Sequence, residues 1–81
     1  MEYKPTGVCS RLIDVELDGD TIKSVQFVGG CHGNTQGVAA LVEGMNVDTA
    51  ISKLEGLTCG FKNTSCPDQL AQALKLAKEQ A

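Results

Sequence analysis

Tryptophan is absent from this 81-residue chain, and Tyr3, Phe27 and Phe61 are its only aromatic residues. A core must therefore be assembled from Leu, Ile, Val and Ala, and in so short a chain such a core is thin and gains from a staple. Cations are also few: seven Lys/Arg stand against ten Asp/Glu, a net charge of −3. That balance excludes the electrostatic footprint of a DNA or RNA binder or of a protein drawn to an anionic membrane. No apolar run approaches bilayer-spanning length, the stretch 38–42 being among the longest. The residues after Met1 form no apolar leader, so a cytoplasmic location is expected. No C-x-x-C occurs, which removes the usual zinc-knuckle and thioredoxin signatures. A single histidine, His32, supports no Ser–His–Asp arrangement.

What the chain does have is 42% hydrophobic residues, nine glycines and four cysteines. The first value argues against disorder. In a reducing compartment the cysteines point to metal binding, redox chemistry or burial before structural disulfides.

Ile13, Val15 and Leu17 alternate with Leu12, Asp14 and Glu16, the period of a strand with one buried face. Asp18-Gly19-Asp20 is a turn signal, and residues 21–28 form a second β-prone run. A three-residue turn with Gly19 or Asp20 in the left-handed region sets Ile13 opposite Val25 and gathers Ile13, Val15, Val25 and Phe27 on one face. The segment before Pro5 is a candidate short edge strand. Val38, Leu41, Val42 and Met45 then recur at helical spacing, predicting a helix that starts near Asn34 or Thr35 and stops at Gly44 or Asn46. A second short helix follows, with Asp48 as N-cap, Ile51 and Leu54 facing inward, and Gly56 as the stop. The last helix has Ser65 as N-cap, Pro67 near its first position, Asp68 in a capping-box-like place, and a stripe of Leu70, Ala73, Leu74 and Ala77. The expected architecture is a single α+β domain over residues 1–81. An antiparallel hairpin or three-stranded sheet carries about three helices on one face.

The cysteines fall at the ends of these elements. Cys9 opens the first long strand, and in the expected register it faces Gly29, just before Cys31. Cys66 opens the last helix, where the macrodipole and free N–H groups favour a thiolate. Cys59 lies on the preceding loop, where burial as a small hydrophobe is an equal alternative. A thiol cluster of Cys9, Cys31, Cys66 and Cys59, with His32 as substitute ligand, is the leading candidate site. It would bind zinc or an iron–sulfur cluster. The segment Gly29-Gly30-Cys31-His32-Gly33-Asn34 invites a second reading. Between a strand and a helix, Gly29, Gly30, Gly33 and Asn34 offer N–H groups to the phosphate of a nucleotide or flavin-type cofactor. It lacks the Walker A ending and does not match G-x-G-x-x-G, and glycine there also serves to turn the chain. A third reading makes the chain a thiol redox protein with Cys66 as nucleophile. No catalytic residue is assigned.

Thr64-Ser65-Cys66-Pro67-Asp68-Gln69-Leu70-Ala71 resembles the signature of the TSCPD-domain family of small bacterial proteins. Cys9-Ser10, residues 29–34 and Leu57-Thr58-Cys59-Gly60 resemble that family's pattern as well. The resemblance implies a domain type that also occurs at the end of adenosylcobalamin-dependent ribonucleotide reductases. It therefore implies an accessory role beside such a reductase rather than reductase activity of this chain. A more distant similarity is to the U-type iron–sulfur scaffold proteins, whose three cysteines Cys9, Cys31 and Cys66 match. Here Ser10-Arg11 stand where the scaffold has Asp, Ser65 replaces its His, and Cys59 is additional. A fourth thiol without the Asp suits zinc or a retained cluster more than a labile one.

Overall fold

The structure is a computed structural model that describes residues 1–8, 10–29, 32–58 and 63–80, the side chains of residues 32–34 excepted. Strand β1 (Glu2–Tyr3) pairs antiparallel with β2 (Ser10–Asp18), and β2 pairs with β3 (Thr21–Gly29), giving a three-stranded sheet in the order β1-β2-β3. Helices α1 (His32–Val42), α2 (Val47–Leu54) and α3 (Cys66–Gln80) follow. The architecture is α+β, and the edge strand expected before Pro5 is β1.

The hairpin turns on Gly19 and Asp20, with Asp18 opposite Thr21. Gly19 has φ +61° and no non-glycine residue described has a positive φ, so the left-handed residue comes first, as in a type II′ turn. The turn is thus one residue shorter than the three-residue turn expected. Ile13 pairs with Phe27 and Val15 with Val25, not Ile13 with Val25. The face survives this correction because the slip is an even number of residues.

Two β-bulges make the pattern work. Ile22 and Val25 are both buried although strict alternation would put them on opposite faces. The register shifts between Glu16 and Leu17, leaving Lys23 as the extra residue on β3, so both side chains turn inward. A second shift between Ser10 and Leu12 makes Arg11 the extra residue on β2. It brings Ser10 to the same interior as Ile13. Gly29 faces this bulge, where a Cβ would come within 3.3 Å of Arg11 Nε and 3.4 Å of its backbone N. Expected opposite Cys9, Gly29 instead faces Ser10.

The core joins Ile13, Val15, Ile22 and Val25 of the sheet to Ala39 and Val42 of α1, Val47 and Ala50 of α2, and Leu70, Ala73, Leu74 and Ala77 of α3. It is aliphatic, as the lack of aromatics requires, with Tyr3 and Phe27 packed only at its margin. The α3 stripe is the one the spacing predicts. On α1 the stripe is rotated: Thr35, Ala39 and Val42 face inward with Val38 and Met45 beside them, whereas Leu41 is 77% exposed. Hydrophobicity alone had favoured Leu41 over the smaller Thr35 and Ala39, which fit closer to the sheet. Helix α1 also starts earlier than expected, at His32, so Gly33 and Asn34 are helical. Asn46, not Asp48, caps α2: its Oδ1 accepts from the backbone N of Asp48 (3.0 Å) and Thr49 (3.2 Å). Ile51 and Leu54 are half-buried, while Val47 and Ala50 point fully inward. Glycines 44 and 56 follow the ends of α1 and α2 as expected.

Among the described residues no helix is long and apolar enough to cross a membrane. The corrected stripe is testable by urea unfolding. Leu70→Ala should cost about 3 kcal/mol through a buried cavity, whereas Leu41→Ala should stay within about 0.5 kcal/mol.

Candidate cysteine site

The N-terminus of α3 organises this end of the molecule. Ser65 Oγ accepts from the Asp68 backbone N (3.1 Å), the N-cap bond its position predicts, and donates to the Leu57 carbonyl (2.7 Å). Cys66 is the first helical residue, and Pro67 follows where no backbone N–H is needed. In a full capping box Asp68 would reach back to Ser65. Its carboxylate is instead directed at the preceding connection: Oδ1 accepts from Gly56 N (2.8 Å) and Oδ2 from the Thr64 hydroxyl (2.5 Å). Asp68 thus ties Gly56, just past the end of α2, to the residue that precedes the α3 cap.

Gln69 extends the network to the N-terminal segment. Its Oε1 accepts from Tyr3 Oη (3.3 Å) and Thr6 N (3.1 Å), and its Nε2 donates to Thr64 Oγ1 (2.9 Å). Thr64, Ser65, Asp68 and Gln69 are all buried, and every buried side-chain N or O atom among the described residues has a partner. The sequence marks Ser65 as the cap but reveals neither the buried role of Gln69 nor the direction of Asp68. The available signal was two adjacent polar residues on a face otherwise filled by Leu70, Ala73 and Leu74.

Cys66 is half-buried, and its Sγ lies 3.2 Å from Ser10 Oγ. Ser10 reaches this position because the Arg11 bulge turns it inward, where it is 4% exposed. Of the predicted site residues, Gly30, Cys9, Cys31 and Cys59 lie outside the described residues, and His32, Gly33 and Asn34 are described only as the first three positions of α1. Their described chain neighbours are nevertheless linked. Ser10, which follows Cys9, touches Cys66 and pairs with Gly29, which precedes Gly30-Cys31. Leu57, which precedes Thr58-Cys59, is bonded to Ser65, next to Cys66. Among the described residues no three His, Cys, Asp or Glu form a metal-holding group.

The Asp68 carboxyl is held below the ordinary Asp value of about 3.9 by the Thr64 hydroxyl first and then the Gly56 N–H, against an upward push from burial, with the Gln72 side chain and the charge of Lys75 adding lesser downward effects. A depressed carboxyl contributes stability that is fully present above the unfolded pKa and is lost as pH falls through the folded one. Wild-type stability should therefore decline below about pH 4, and Asp68→Asn should flatten that acid limb. Asp68→Ala, which strands the Gly56 N–H and the Thr64 hydroxyl, should cost about 2–4 kcal/mol in urea unfolding at neutral pH.

Comparison with known proteins agrees with the motif whose contacts are described above. The family model for the TSCPD domain matches residues 1–78. No curated protein and no solved structure matches the chain, so the likeness to iron–sulfur scaffolds has no structural neighbour behind it. With the match covering nearly the whole chain, and with Thr64, Ser65, Cys66, Pro67 and Asp68 each in a definite place at the head of α3, the chain belongs to the TSCPD-domain family.

Proposed function

We propose that this chain is a cysteine-centred metal-binding module, with Cys66 as one ligand and Cys9, Cys31 and Cys59 as its companions, His32 standing in for one of them. The observation that carries the reading is the Cys66–Ser10 contact at 3.2 Å, because it sets the head of α3 against the strand end that follows Cys9. The bond from Ser65 to Leu57 and the pairing of Ser10 with Gly29 support it by fixing chain next to the other two cysteines. Thiolate donors of this number suit zinc or an iron–sulfur cluster, which would supply a cross-link between strand and helix ends that the thin aliphatic core lacks. The chain's own part is to hold Cys66 through the Ser65 cap and the Ser10 hydroxyl.

The partner we propose for such a module is a ribonucleotide reductase in the cytoplasm, on the resemblance to the domain type that ends those enzymes. The chain itself acts there as an accessory. The alternative of a nucleotide or flavin-type cofactor draws on the start of α1 at His32, which leaves the first-turn N–H groups of Gly33 and Asn34 without intrahelical partners.

Elemental analysis with an absorption spectrum decides between these readings in anaerobically prepared, untagged protein. About one zinc per chain or iron–sulfur absorbance is expected, with loss of metal in Cys66→Ser. Metal-free protein with four freely reacting thiols overturns the reading, and a bound flavin or nucleotide chromophore would replace it.

A further inference from the structure

The amide of Gln69, buried on α3, is turned to the start of the chain. Its Oε1 accepts from Thr6 N (3.1 Å) and Tyr3 Oη (3.3 Å), and its Nε2 donates to Thr64 Oγ1 (2.9 Å). A flipped amide would set its NH2 against the Thr6 N–H. It would also set its oxygen against a Thr64 oxygen whose proton is already given to Asp68. The orientation that holds Thr6 is therefore fixed.

The N-terminal segment thus meets one turn of α3 at two points. Thr6 is tied to Gln69, and Ser10 meets Cys66, three positions earlier on the helix. Helix residues so spaced lie about 5–6 Å apart. The four residue steps from Thr6 to Ser10 could reach about 14 Å if extended, so the contact at Ser10 alone leaves the preceding chain slack. The tie at Thr6 takes up that slack, together with Gly7, which has φ +72° and lies so close to Thr64 that a Cβ would come within 3.0 Å of its Cγ2. In the sequence Cys9 falls between the two anchors, joined directly to Ser10.

We infer, resting on the proposal that Cys9 and Cys66 belong to one site, that Gln69 is a positioning residue: its amide fixes the approach to Cys9 so that a single ion can take both thiols. It touches neither sulfur's ligand and acts through Thr6 and Thr64.

The test uses a Cys31→Ser, Cys59→Ser parent, in which Cys9 and Cys66 are the only thiols. Its probe is phenylarsine oxide, which loses its oxygen as water on taking two neighbouring thiols. One arsenic should bridge the pair in the parent, and Gln69→Met should slow bridging about tenfold or more. Gly7→Ala, which disturbs the turn but keeps the buried amide, should slow it in the same direction, and it decides alone if Gln69→Met does not fold. Val42→Ala, a core cavity on α1, should bridge at the parent rate. An unbridged parent, clamp variants that bridge as fast as the parent, or equal slowing by Val42→Ala overturns the inference. Cobalt(II) titrated into the four-cysteine chain separates this from the metal reading. Gln69→Met should weaken binding about tenfold and reduce the thiolate charge-transfer absorption. A chain that binds neither cobalt nor iron while its parent bridges arsenic overturns the metal reading alone, and metal binding with an unbridged parent overturns the positioning role alone.

Discussion

The Asp68 carboxylate is the contact on which this end of the molecule depends. It accepts at once from the Gly56 N–H and the Thr64 hydroxyl, so one side chain of α3 fixes both the exit from α2 and the entry to α3. Leaving either donor without a partner in a buried setting costs more than the bond itself contributes, which is why such a network holds its geometry once complete. Thr64 then passes the constraint to Gln69, and Gln69 passes it to Tyr3 and Thr6 near the start of the chain. Helix α3 is thereby held to segments far apart in sequence by polar contacts as well as by Leu70 and Leu74. On the outer side of the same helix, Lys75 pairs with Glu55, which caps the end of α2, and Lys78 with Asp48 of α2, but exposed pairs of this kind contribute little.

Much of the fold was legible because its signals were local. The alternation of Ile13 and Val15, the Asp18-Gly19-Asp20 turn and the Ser65 cap each rest on physics within a few residues. What could not be read was long-range or subtractive. The choice between Asn46 and Asp48 as the α2 cap depends on where the β3 edge requires the connecting chain to lie, since Thr21 bridges Asn46. The exposure of Leu41 depends on how closely α1 approaches the sheet, which favours Thr35 and Ala39 there. A sequence pattern reports hydrophobicity, not the distance between two surfaces.

The same division holds for the site. The sequence points to Cys66 at a helix start, a purely local feature. That Ser10 meets it could not be seen, because a strand read with strict alternation puts Ser10 on the face opposite Ile13. The motif around Cys66 also divides into parts with separate tasks. Ser65 caps, Pro67 fits the first turn and Asp68 and Thr64 brace the connection, while the Cys66 thiol is turned to the Ser10 side chain of β2.

The two bulges have a consequence for how the hairpin tolerates change. One extra residue sits on each strand, Lys23 near the turn and Arg11 near the site, so the offset introduced by the first is cancelled by the second. The two strands therefore keep equal length and a common frame at both ends, and only the span between the bulges runs one step out of phase. Losing Lys23 alone would remove one half of a matched pair of frame shifts. Either Ile22 would be turned out of the core at one end or Ser10 would be turned away from Cys66 at the other. An exposed lysine thus governs, by its presence in the count, whether the thiol keeps its neighbour.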